Sequence, residues 1–66
     1  MSIVLNGRPI PVAAGTTVGE LVDATVPDRR GVAVAVDGTV VPRTAWDATE
    51  LPSSATVELV GAVQGG

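Results

Sequence analysis

A chain of 66 residues leaves room for one domain around one small core, because at this size folding buries only roughly 60% of the surface the unfolded chain exposes. Cys, His, Tyr and Lys are absent, which removes disulfides, thiolate metal sites, the usual imidazole ligand and proton shuttle, and any strong base to activate a hydroxyl. A formal net charge of −3, a pI near 4.4 and a single aromatic residue, Trp46, argue against nucleic acid, which calls for clustered cations and stacking platforms.

The N-terminal Met1-Ser2-Ile3-Val4-Leu5 has no basic region and no long apolar run, so it does not read as a signal peptide. It reads as a strand entering a tight turn at Asn6-Gly7, a pair in which both residues tolerate positive φ. The return strand, residues 8–12, carries Pro9 and Pro11. Neither can donate a ladder hydrogen bond, which puts this strand at a sheet edge. Gly15-Thr16 leads into a helix whose start is marked by Thr17 and Glu20, a capping-box pair. Val18, Leu21, Val22 and Val26 recur at helical spacing, and Pro27 ends the helix. Two to three turns are marginal alone, so the apolar stripe must pack on the sheet.

Asp28-Arg29-Arg30-Gly31 is expected to be a connecting loop with a solvated arginine pair. Val32, Val34 and Val36 alternate with Ala33 and Ala35, the two-residue period of a strand. Asp37-Gly38 is a second hairpin signal, returning through Thr39-Val40-Val41 until Pro42 ends the pairing. Residues 46–51 are expected to be irregular, and Pro52-Ser53-Ser54 to turn. Residues 56–60 form the last strand, with Val57 and Leu59 on one face and Glu58 on the other. No stretch approaches the ~20 apolar residues of a membrane span, and a cytoplasmic location is expected. This order of hairpin, helix and strands implies an α+β fold with a mixed sheet and one main helix across it. A domain over residues 1–61 and a flexible tail over residues 62–66 are expected. Mean hydropathy is +0.42. Either apolar surface is left exposed for a partner, or Val and Ala are simply abundant.

The candidate chemistry lies at the C-terminus. Ser and Thr have no His or Lys beside them, and Glu20, Asp23 and Asp28 fall where helix caps and solvated faces put them. Gly65-Gly66 is different, because glycine lacks a Cβ and can thread a slot too narrow for other residues. An α-carboxylate has a pKa of about 3.3–3.7 and is ionised at neutral pH. It could attack the α-phosphate of ATP in another protein's pocket. Six extended residues from Gly61 would reach at most about 20 Å.

Thr17-Val18-Gly19-Glu20-Leu21, the run from Gly31 to Val36, Val41-Pro42-Arg43 with Trp46, and the ending Val57-Glu58-Leu59-Val60 through Gly65-Gly66 together resemble the ThiS family of thiamine-biosynthesis sulfur carriers. The resemblance covers nearly the whole chain in order. Two stretches depart from the family pattern: Asp37 replaces the usual Asn before the second turn, and Pro52-Ser53-Ser54-Ala55 replaces an acidic-Gly-Asp stretch. It implies a ubiquitin-like β-grasp fold with four to five strands. It also implies that a ThiF-like adenylyltransferase adenylates Gly66, consuming ATP, with no cofactor or metal bound by the carrier itself and no catalytic residue of its own. A cysteine desulfurase or other donor would then supply sulfur for a thiocarboxylate, and thiazole synthase would receive it. Gly65, Gln64 and Val63 would thread the partners' active sites. Arg43 and Trp46 match family positions as possible partner contacts. Packing is favoured for Trp46, whereas Arg43 suits either a local ion pair or a contact with the activating enzyme.

The same residues admit rival readings. The small subunit of molybdopterin synthase shares the fold and tail, as would a protein modifier joined to target lysines. A plain β-grasp interaction module with an inert tail is a third. The Val-Pro-Arg…Trp stretch fits the thiamine carrier better than the molybdopterin subunit.

Overall fold

The computed structural model describes residues 1–61. Strand β1 (Ser2–Leu5) turns through Asn6 and Gly7, at φ 50° and 83°, into the antiparallel β2 (Arg8–Pro11). Both positive angles belong to a tight hairpin whose twist matches its strands. Helix α1 (Val18–Thr25) follows, with its predicted cap in place: the Glu20 N–H donates to Thr17 Oγ1 at 3.1 Å and the Thr17 N–H donates to Glu20 Oε1 at 2.9 Å. Strands β3 (Val32–Val36) and β4 (Thr39–Val40) form the second hairpin around Asp37 and Gly38, at φ 49° and 84°. A 3-10 helix (Arg43–Ala48) crosses toward β5 (Thr56–Gly61).

The strands make one sheet in the order β2-β1-β5-β3-β4. As expected, β1 and β5 are neighbours and parallel, and the proline-bearing β2 lies at an edge. Strand β5 is central, antiparallel to β3 on its other side. Val18, Leu21 and Val22 of α1 are buried with Ile3, Val34, Val57 and Leu59 of the sheet, Trp46 of the 3-10 helix and Leu51 after it. This is the ubiquitin-like β-grasp.

Two expectations needed correction. Residues 46–51 are not irregular: Trp46, Asp47 and Ala48 belong to the 3-10 helix, and the chain beyond them is tied to the start of α1. The Val18 N–H donates to Thr49 O and the Leu51 N–H to Thr16 O, each at 2.8 Å. Such a short helix has no amphipathic period to read, and burial of Trp46 is what orders it. The last strand, expected over residues 56–60, runs one residue further, with Gly61 pairing opposite Val32.

Candidate functional site

The expected carrier residue Gly66 and the threading residues Gly65, Gln64 and Val63 lie outside the described residues, which reach the base of that segment. That base is β5, the strand from which the chain runs on to its C-terminus. β5 is gripped at both ends by the residues that open the two hairpin turns. At its start, the Thr56 N–H donates to Asp37 Oδ1 at 2.8 Å and the Asp37 N–H donates to Thr56 O at 2.8 Å. Near its end, the Asn6 side chain takes both backbone groups of Leu59: Asn6 Nδ2 donates to Leu59 O at 3.0 Å, and the Leu59 N–H donates to Asn6 Oδ1 at 2.9 Å.

Across the sheet face opposite α1, register places Val4 beside Pro9 and Thr56, Ala35 beside Val40 and Glu58, and Ala33 beside Val60. Glu58 is the one charged side chain among these positions. Val40 is 70% exposed and Val60 64%. The high mean hydropathy therefore does correspond to apolar surface left open, concentrated on one face.

On the other side of the molecule, Trp46 is only 1% exposed and its Nε1–H donates to Val41 O at 2.9 Å. It packs in the core and offers a partner no surface. The guanidiniums of Arg29 and Arg43 lie 5.7 and 6.0 Å from its ring centroid, within reach of the π-face. Arg43 is exposed and joins none of the ion pairs found among the described residues.

Arg29 departs from the expected solvated loop. It donates from Nε to Asp23 Oδ1 at 2.8 Å and from Nη2 to Asp47 Oδ1 at 2.9 Å, tying α1 to the 3-10 helix. Hydrogen bonds from Arg29, reinforced by its charge, hold both carboxyls below the ordinary Asp value of 3.8. Arg30 does behave as loop residues do, pairing with Asp28 two positions away at 2.8 Å. Among the described residues there is no buried polar or charged side chain, no cavity, and no acidic cluster able to hold a metal ion. No helix among them is long and apolar enough to cross a membrane.

Sequence reasoning missed the second role of Asn6 and the bridging role of Arg29. Asn6 was already accounted for by its turn, and the Asp23-to-Arg29 spacing spans a helix end, where no periodicity pairs residues.

The ThiS family model matches residues 3–66. The crystal structure of a thiamine biosynthesis protein (ThiS) from Geobacter metallireducens is similar at 35% identity and a TM-score of 0.83, with both chains covered in full. An NMR solution structure of a thiamine biosynthesis protein from the same organism is 33% identical with a TM-score of 0.77, covering 100% of this chain and 88% of that one. No curated protein matches the chain.

Proposed function

This chain belongs to the ThiS family, the small sulfur carriers of thiamine biosynthesis, and from that premise we propose that the α-carboxylate of Gly66 is the group that carries the sulfur. Residues 1–61 are then the recognition body and residues 62–66 the reacting tail. The observation that carries this reading is that the family match runs through Gly65-Gly66 to residue 66. The strand leading to that end is the central one of the sheet.

In the first step a carboxylate oxygen attacks the α-phosphorus of ATP held by a ThiF-like adenylyltransferase, and pyrophosphate leaves. A hydrosulfide equivalent supplied through a cysteine desulfurase or related donor then attacks the carbonyl carbon. AMP leaves with the electron pair of the broken C–O bond, and a thiocarboxylate remains for thiazole synthase. Glycine suits both terminal positions, because a Cβ would widen the chain and restrict φ inside a narrow slot. The activating enzyme docks on the apolar sheet face around Val40 and Val60, and Arg43, exposed and outside any described ion pair, is available as a peripheral contact.

Intact mass after incubation with ATP, sulfide and a cognate activating enzyme tests the reading. The expected product has one oxygen exchanged for one sulfur. Deletion of Gly66 should abolish adenylation while leaving stability within about half a kcal/mol, as for a change at a chain end. Adenylate formation by the deletion variant would overturn the assignment.

A further inference from the structure

The β1 edge of β5 is completed by a side chain. Along that edge the backbone groups of alternate β5-side residues face β1. The Val4 N–H donates to Ala55 O at 2.8 Å and the Asn6 N–H donates to Val57 O at 2.9 Å. The next residue in this series is Leu59, but at Asn6 the main chain swings into the turn and has no further residue to offer. The Asn6 carboxamide stands in for it. A primary amide carries the same donor and acceptor as a peptide group, and here both are used on the N–H and C=O of Leu59. The turn itself does not need this amide, since glycine adopts positive φ at no steric cost. On the other edge, pairing with β3 continues to Gly61. Among the described residues, the end of β5 is thus held from one side by β3 and from the other by the Asn6 side chain.

We propose that Asn6 is a positioning residue for the chemistry at Gly66: by completing the β1 edge of β5 at Leu59, its amide fixes the direction in which the chain leaves the sheet toward its reacting carboxylate. This rests on the reading of Gly66 as the carrier group. Docking by the sheet face sets where the body sits on the activating enzyme, and the orientation of the β5 end sets how often the carboxylate then meets ATP in line. Loosening that end spreads the exit directions and lowers the reactive fraction within the bound complex, which is an orientation effect on the chemical step rather than on docking.

Steady-state adenylation with a cognate ThiF-like enzyme tests this, alongside hydrogen exchange at the Leu59 amide. Asn6→Gly keeps the positive-φ turn and removes the amide. It should speed exchange at Leu59 and lower kcat by about threefold or more with KM for the carrier unchanged. Asn6→Asp keeps an acceptor for the Leu59 N–H but sets a carboxylate against Leu59 O, and its kcat should fall between the other two. Leu21→Ala, destabilised through the core instead, should keep wild-type kcat at temperatures where it is folded. If Asn6→Gly and Asn6→Asp exchange faster at Leu59 yet retain wild-type kcat, Asn6 is a structural clamp only and the proposal fails. If the wild-type chain forms no adenylate, it is the Gly66 reading that fails, a result the variants cannot produce.

Discussion

Arg29 belongs by sequence to the loop after α1, yet it joins that helix, the 3-10 helix and the indole between them. Its side chain is 31% exposed, against 59% for Asp23 and 75% for Asp47. Each pair is partly screened, and the value of the cluster lies in its sharing one guanidinium. The sign of its pH dependence follows from the depressed carboxyls. Their stabilisation is fully present above 3.8, the ordinary Asp value, and is lost as pH falls through the lower values they have in the folded protein. Arg29→Ala should therefore flatten the acid limb of stability, read as the urea midpoint between about pH 5 and pH 2. Roughly 1 M salt should shrink the difference between the two proteins near neutral pH. Superimposable acid limbs would mean that the cluster contributes nothing to stability.

At the scale of elements, α1 is the part whose formation depends most on its neighbours. Its capping box closes the N-terminus, but eight residues do not hold a helix in water without a packed face. Leu21, 4% exposed, carries much of that face, and Leu21→Ala should cost about 2–5 kcal/mol in chemical denaturation. A loss under half a kcal/mol would show that the stripe is not packed there. Gly19, two residues earlier, is a different case. A Cβ at that position would collide with Asp47 Oδ1 and come to 2.8 Å from Arg29 Nη2, so the absent side chain leaves room for the Arg29–Asp47 ion pair where it lies over the helix. Glycine inside a helix costs roughly 0.5–1 kcal/mol relative to alanine. Gly19→Ala should recover that amount in an Asp47→Ala background and less of it in the wild type. A thermodynamic cycle on the four proteins measures the gap, and equal gains in both backgrounds would show that the close approach has no energetic consequence.

The whole molecule has two unlike sides. One is the layer of α1 and the 3-10 helix, bearing the Asp23–Arg29–Asp47 cluster. The other is the sheet face opposite α1, where Glu58 is the one charged side chain among the described positions paired across it. A face of this kind fits recognition by apolar contact, with Glu58 as the one charge to be matched across it. Val60→Asp places a second carboxylate there at a position already 64% exposed. Stability should change by no more than about half a kcal/mol, while KM for adenylation should rise by about tenfold, the effect of losing roughly 1.4 kcal/mol of docking. An unchanged KM would move the docking site to another face.

Local chemistry was enough for much of this. Asn6-Gly7 and Asp37-Gly38 specify turns because few residues accept positive φ, Thr17 and Glu20 specify a helix start because they satisfy its orphan donors, and Pro9 and Pro11 specify an edge because they lack a donor. The Val and Ala alternation gave the faces of β3 directly. These are interactions within a few residues, so the sequence carries them whole, and the resemblance to the ThiS family rests on the same stretches. What only the tertiary structure decided are contacts between residues far apart in the chain. The Asn6 amide meets Leu59 across 53 positions and Arg29 meets Asp47 across 18. The 3-10 helix forms because Trp46 has a core to enter, not because its own residues favour helix. Even the extension of β5 past residue 60 to Gly61 depends on Val32 lying opposite it. Each of these depends on where a second segment is placed by the packing of the sheet, and no short-range pattern encodes that.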